Sequence, residues 1–459
     1  MSEAPKMSST LWMIKAGNIP LDFNWSSDLF HDIPIPVSIP AEPTANQVKR
    51  VELVAEDLRD GLGGVKIYPD VKAMLDYVGL LEEFGVKRMT VGIYTGENSK
   101  TSIVIKSLLA GMRDGNSNVI PIVLSLATEE SLRWTLECKE INPELEAIVF
   151  MGTAPVRLLV EGWDKSFVLD RLSWAVKEAT NHGVKVIGAT EHTTQTPPDF
   201  LSDIVKAEID NGASAFCIAD TIGIARPRGV YRIVNYVREL LNKFGADSIP
   251  IEWHGHRDLG NDLWNAMAAI SAGADRVHTV ALGIGERAGN TQLEPLILNF
   301  IQILREANME VPWKTKMLEG IISAYCALVD EARPNHGPSG LKAFQTQLGI
   351  HASAILKAEL LAREAKELGL DHIVYRLDLM RQTIYSSVFP PSIGRANEVL
   401  IGPLSGSANV KLYCLYRGID LARITEAQVK QVLYTAKQLG RVLTPEEVDK
   451  LLNHQSLNE

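Results

Sequence analysis

The sequence predicts a (β/α)8 TIM barrel followed by a mainly helical C-terminal subdomain. Three observations carry this: eight short, β-branched apolar runs in series, helical stretches between them, and the end of that alternation near residue 310. Continuous apolar runs mark strands buried on both faces, as in a parallel sheet covered by helices. Eight units favour closure into a barrel. An open doubly wound sheet is the alternative, but no G-x-G-x-x-G follows the first strand.

Residues 1–50 form an N-terminal extension holding Trp12, Trp25 and the proline-spaced DIPIPVSIPAEP (32–43). Proline blocks helix and removes donors, so 32–43 reads as an extended strap. The two tryptophans predict docking, either on the chain's own barrel or on a neighbouring subunit. The barrel spans 51–310, with strands expected at 51–58, 88–94, 118–126, 147–153, 184–191, 214–220, 249–256 and 276–283. Amphipathic stretches such as 71–85 and 229–245 lie between them, and Gly85, Gly183, Gly212, Gly245 and Gly273 punctuate helix ends. Residues 311–459 form the helical subdomain: 315–369 reads as helix, most clearly 351–369, and 385–410 as loop. A last helix opens on a capping box with Thr444 as N-cap, Pro445 in the first turn and Glu447 closing it.

The chain has 459 residues, 46% hydrophobic and 22% charged, a globular composition. Its formal charge of −10 argues against nucleic acid or an anionic membrane as partner. No apolar run reaches the roughly 18 residues of a membrane span. The start lacks a signal peptide's basic and apolar regions. Cys138, Cys217, Cys326 and Cys414 are far apart, which fits a reducing, cytoplasmic setting better than a disulfide framework.

In a parallel barrel, chemistry gathers at the C-terminal ends of the strands. Five expected strands end there in polar groups: Arg59-Asp60, Glu191-His192, Asp220-Thr221 and His254-Gly255-His256, with G-I-G-E-R-A-G-N (283–290) after the eighth. His254 and His256, two apart on a strand, leave the same face. Paired imidazoles with Asp60 as a third ligand suit a divalent metal, with Asn290 converging on the same rim. The bland reading is a pair of hydrogen-bonded rim histidines. Arg59 offers a fixed cation for an anionic substrate or a developing alkoxide. Asp220 reads as the cap of the following turn, His192 and His278 as structural, and Trp253 and Trp264 as packing.

The motifs L-R-D-G (58–61), D-T-I-G-I-A-R-P (220–227), H-G-H-R-D-L-G (254–260) and G-I-G-E-R-A-G-N (283–290) together resemble the family of 2-isopropylmalate, homocitrate and citramalate synthases. The closest likeness is to 2-isopropylmalate synthases. The resemblance is strong over about 51–300 and looser through F-Q-T-Q-L-G-I-H (344–351) and G-P-L-S-G (402–406). It implies a TIM-barrel acyltransferase that condenses acetyl-CoA with a 2-oxo acid at a divalent metal (magnesium, manganese or zinc), working in amino-acid biosynthesis as a domain-exchanged homodimer. It assigns Asp60, His254, His256 and Asn290 to the metal. Arg59, Glu191, His351 and Tyr385 become catalytic, and Thr90, Gln195, Thr196, Arg257 and Glu286 substrate contacts.

The departures concern the substrate pocket. The family usually has glutamine where Gly63 stands, an acid where Thr90 stands, and E-D-x-x-R where this chain reads Glu191-His192-Thr193-Thr194-Gln195. Arg257 replaces the asparagine of H-x-H-N-D. Without a cation at Gln195, a second substrate carboxylate loses its partner, which points to a monocarboxylic, apolar or aromatic 2-oxo acid. Homocitrate, citramalate and 2-benzylmalate synthesis are alternatives, as is a carbon–carbon lyase like 3-hydroxy-3-methylglutaryl-CoA lyase. The lyase resemblance would call for a cysteine within 283–290, which has none. A degenerate barrel kept for binding is a further class. The resemblance also leaves no room for a regulatory domain after the helical subdomain, so insensitivity to leucine is expected.

Overall fold

The computed structural model describes residues 23–27, 33, 42–97 and 99–453. Trp12 and most of the 32–43 strap lie outside the described residues. The chain divides into two compact units. One runs to Lys314 and includes Ile321–Ala332; the other comprises Thr315–Gly320 and the chain from Arg333 onward.

The first unit opens on α1 (Ala45–Arg50), capped by Thr44, and then alternates strand with helix. The strands are β1 (Glu52–Ala55), β2 (Arg88–Ile93), β3 (Ile120–Leu126), β4 (Glu146–Gly152), β5 (Lys185–Glu191), β6 (Ala215–Asp220), β7 (Ile251–Gly255) and β8 (Arg276–Thr279). The helices between them are α2 (Val71–Phe84), α3 (Lys100–Asp114), α4 (Glu129–Ile141), α5 (Pro155–Glu161), α6 (Lys165–Asn181), α7 (Pro198–Asp210), α8 (Pro227–Lys243) and α9 (Asp262–Ser271). α10 (Leu293–Glu306) follows β8. All eight strands fall where the apolar runs put them. Each pairs in parallel with its neighbour, and β8 pairs with β1, so the barrel closes. The helices obey the same patterning: α2 buries Met74, Tyr77, Val78, Leu81 and Phe84, three or four apart, and starts on Asp70, which accepts from the Ala73 N–H.

Residues two apart on a strand share a face, so the barrel interior can be read from alternate positions. β3 to β6 contribute Ile122, Leu124, Ile148, Ile187, Ala189, Ala215 and Cys217 to one apolar cluster, joined by Val54. β7, β8 and the residue after β1 instead bury Glu252, His254, His278 and Glu56. These groups neutralise one another, as buried charges must. His278 sits between Glu56 Oε1 at 2.7 Å and Glu252 Oε2 at 3.0 Å, and Arg276 pairs with Glu252. Near the strand starts, Arg88 pairs with Glu52 and, at 3.0 Å, with Glu146.

Trp253 is fully buried as packing, but Trp264 is not: α9 turns it outward and leaves it half exposed. The described part of the extension docks on its own barrel. Trp25 is 1% exposed. Its backbone N–H donates to the Thr194 carbonyl at 3.1 Å and its Nε1–H to the Thr196 carbonyl at 2.8 Å. Arg232 on α8 donates to the Trp25 carbonyl at 2.7 Å, and the indole packs against Tyr236 with ring centroids 5.1 Å apart.

α11 (Leu318–Val329) contributes residues to both units. The second unit holds a two-stranded parallel pair, β9 (Gln345–Thr346) with β10 (Glu398–Val399). Around it are α12 (Gly349–Glu367), α13 (Asp371–Thr383), α14 (Ser407–Tyr416), α15 (Glu426–Leu439) and α16 (Pro445–Asn453). Val410, Cys414, Val429, Val432, Leu443 and Val448 anchor its core. The expected capping box is present: the Thr444 N–H donates to Glu447 Oε2 at 2.8 Å and the Glu447 N–H to Thr444 Oγ1 at 3.3 Å. No helix among the described residues is long and apolar enough to cross a membrane.

Removing the indole of Trp25 opens a large cavity and orphans the Thr196 carbonyl. Trp25→Ala should cost about 3–5 kcal/mol, seen as a lower urea midpoint; an unchanged midpoint would show that the segment does not dock.

Candidate active site

Where the strands open at their C-terminal ends lies a cavity of about 390 Å³. Arg59 and Asp60 reach it from the loop after β1, Glu191 from the end of β5, His254 and His256 from β7, and Glu286 and Arg287 from the loop after β8. A short helical turn sets the first of these. Asp60 opens the 3-10 turn Asp60–Leu62, and its Oδ1 accepts from the Glu286 N–H at 3.0 Å, tying loop one to loop eight. That approach requires Gly285: a Cβ there would lie 2.0 Å from Asn290 Nδ2 and 3.0 Å from Asp60 Oδ1.

Asp60, His254 and His256 converge. His254 Nε2 and His256 Nε2 are 3.3 Å apart, and Asp60 Oδ2 lies 3.6 Å from each. A triangle with these edges is the spacing of three donors that meet about 2 Å from one centre, the usual ligand distance of a divalent ion. Burial holds both imidazoles below their ordinary pKa, His254 down to about 3, so each presents a neutral nitrogen to the other. Burial works against ionisation of Asp60, yet the Arg59 guanidinium above all, with the Glu286 N–H bond, keeps it well below the usual carboxylate range. Asn290 is buried beside them, and neither polar atom of its amide has a protein partner; His256 Nδ1 likewise has none. Two facing imidazole nitrogens, a carboxylate and an unpartnered amide are a donor set that fits a divalent cation.

Arg59 is held in place by what surrounds it. Nη1 donates to Asp60 Oδ2 at 2.7 Å, and Nε lies 3.3 Å from Glu56 Oε2. Burial would raise the pKa of Glu56, but Arg59 and His278 bring it down to about 2. Burial would equally lower that of His278, and its two carboxylate partners raise it to about 9. The opposite wall is apolar, made by Ile93, Leu124, Ile148, Phe150 and Ala189.

Of the expected substrate contacts, Glu286 lines the cavity; Thr90, Gln195, Thr196 and Arg257 do not. Thr90 is fully buried and its hydroxyl donates to the Ala55 carbonyl. Gln195 is folded into the 3-10 turn Thr193–Gln195, and the Thr196 hydroxyl meets that of Thr153 at 2.6 Å. Arg257 turns toward the Leu282 carbonyl. His351 and Tyr385 lie in the second unit, with their rings stacked 4.0 Å apart. Asp220 caps its turn, accepting from Thr194 Oγ1 and the Ile224 and Ala225 N–H groups. Sequence reasoning missed Glu56 and Arg287 and took His278 as merely structural, yet all three line the cavity. The signal for Glu56 was its parity: it stands two residues beyond the inward Val54.

A closed parallel barrel with nitrogen and oxygen donors gathered at its C-terminal mouth defines a TIM barrel with a metal-fitting site. A family model described as HMGL-like matches residues 50–319, more than half of the sequence, and the chain belongs to that family. Among its relatives, the 2-isopropylmalate synthase of Methanocaldococcus jannaschii is 24% identical over 85% of this chain and 68% of its own length. The homocitrate synthase of Methanopyrus kandleri is 25% identical over 83% of this chain and 86% of its own. Among solved structures, the hydroxymethylglutaryl-CoA lyase of Pseudomonas aeruginosa shares the fold with a TM-score of 0.52 at 19% identity, over 64% of this chain and 95% of that one.

Beneath the site, Asp57 accepts from Tyr77 Oη and from the Ala281 N–H, both at 2.9 Å, linking loops one and eight a second time. Burial pushes its carboxyl up to about 6, against those two bonds. The folded chain therefore holds this proton more tightly than the unfolded chain, whose value is about 4. The contribution is complete below about pH 4 and is lost as pH rises through 6. Asp57→Asn keeps the acceptor oxygen and removes the titration. Between pH 4 and 7 its stability should rise relative to the parent by about 2–3 kcal/mol, read from urea midpoints; parallel pH profiles would refute the shift.

Proposed function

We propose that this barrel condenses acetyl-CoA with a 2-oxo acid in a Claisen-type reaction, as an acyltransferase that turns the acyl group into an alkyl group on transfer. The acetyl methyl carbon bonds to the keto carbon, and water then cleaves the thioester, giving a 2-alkylmalate-type acid and free CoA. The observation that carries the reading is the Asp60–His254–His256 triangle set directly across from an apolar wall. A divalent cation held by these three, with Asn290 beside them, supplies Lewis-acid polarisation of a keto oxygen when bound.

The chain's own groups then have separable roles. Arg59, fixed by Asp60 and Glu56, keeps a permanent positive charge where the keto oxygen becomes an alkoxide. The proton acceptor for the acetyl methyl group is His351, reaching from a second copy of the chain as the family resemblance implies, or a relay that includes Glu191 at the mouth on β5. Ile93, Leu124, Ile148 and Phe150 favour an apolar side chain on the 2-oxo acid. The cavity's other guanidinium, on Arg287, is committed to Asp258 at 2.9 Å and to the Thr221 carbonyl, which supports a monocarboxylic substrate. A homodimer and a cytoplasmic setting belong to this reading, from the resemblance and the cysteine pattern.

A thiol-release screen tests it, using acetyl-CoA with 2-oxoisovalerate, pyruvate, phenylpyruvate, 2-oxoglutarate and oxaloacetate in magnesium, manganese or zinc. CoA should appear with the monocarboxylic apolar or aromatic acids, at least about tenfold faster in kcat/KM than with the dicarboxylic ones. His254→Ala should remove metal binding and turnover together; a variant that keeps both takes this site out of consideration.

A further inference from the structure

A second cavity, of about 370 Å³, opens beside the first at the barrel mouth. Phe150 and Glu191 line both, so the two spaces adjoin. The second is walled by Leu126, Met151, Trp163 and Phe167. An apolar track leads into it: Leu124 and Leu126 share one face of β3, and Ile148 and Phe150 share one face of β4. Leu126 and Phe167 remain 38% and 43% exposed, apolar surface at the chamber's rim.

The two arginines around this chamber are already paired. Arg157 pairs with Glu161 at 2.7 Å and with Glu191 at 3.4 Å. Its stem lies flat against Gly152, where a Cβ would come within 2.5 Å of Arg157 Cγ and 3.1 Å of Glu191 Oε2. Its guanidinium sits 5.9 Å from the Trp163 ring centroid. Arg171 donates twice to the Ala127 carbonyl and lies over Trp174. The chamber therefore offers aromatic walls and, among the described residues, no uncommitted cation. An apolar cavity of about 150 Å³ already holds a benzene ring, and this one is more than twice that size.

Building on the condensation reading above, we infer that this chamber is a subsite for the far end of the 2-oxo acid side chain, and that it takes an aryl-terminated chain such as that of 4-phenyl-2-oxobutanoate. The carboxylate and keto group stay at the first cavity, and the ring passes Phe150 to rest against Trp163 and Phe167.

The test compares kcat/KM for 4-phenyl-2-oxobutanoate and pyruvate by thiol release, in the full chain and in two variants. Phe167→Ala removes a wall that is partly exposed, so folding is spared; Ala127→Leu fills the chamber from the opposite side. Each should lower the aryl-to-pyruvate ratio by about tenfold. Ratios unchanged in both variants overturn the subsite. If no 2-oxo acid releases CoA, the condensation reading falls, and the subsite is judged by binding alone, through calorimetric titration of 4-phenyl-2-oxobutanoate. Affinity about tenfold weaker in both variants upholds it; equal affinity in all three proteins, or no binding to the parent, overturns it.

Discussion

The interior of this barrel is charged along one side, and that constraint organises everything above it. His278 can stay protonated out of water only because Glu56 and Glu252 flank it, and those carboxylates stay ionised only because His278, Arg59 and Arg276 answer them. The pairing needs β8 beside β1, so it exists only once the barrel has closed. The same column carries His254, whose ring packs edge-on against His278 with centroids 5.4 Å apart. The floor of the site is thus a neutralised ionic network, and the donors above it inherit its rigidity.

Against that side, β3 to β6 present an apolar face. The division gives the cavity its chemistry: polar donors and a fixed guanidinium on one wall, hydrocarbon on the other. A substrate that is anionic at one end and apolar at the other matches both walls at once. The two loops that carry Asp60 and Asn290 are joined twice, through Glu286 to Asp60 and through Ala281 to Asp57, so donors far apart in sequence are held as one piece.

Much of the architecture was legible from residues alone, because burial on both faces forces a strand to be continuously apolar. The H-x-H spacing was legible for a similar reason, since parity alone puts both imidazoles on one face. Roles that depend on closure were not. Nothing near Glu56 announces that His278, more than two hundred residues later, will donate to it. Gln195 and Thr196 follow Glu191 closely, yet the 3-10 turn sends them away from the cavity. The family's arginine is absent at Gln195, and nothing in that stretch announces that Arg157, on α5, pairs with Glu191. Thr90 sits on an expected strand, but its hydroxyl is used up by the neighbouring strand's carbonyl.

Trp25 gives the N-terminal extension a place in this arrangement. Its two N–H groups satisfy carbonyls of Thr194 and Thr196, on the very turn that follows Glu191. Excising the barrel at its first strand would strip those acceptors of their donors and leave the turn without its clamp. A fragment that keeps this clamp therefore starts upstream of Trp25, and a cut at the boundary drawn by the repeating strand–helix pattern would leave it out.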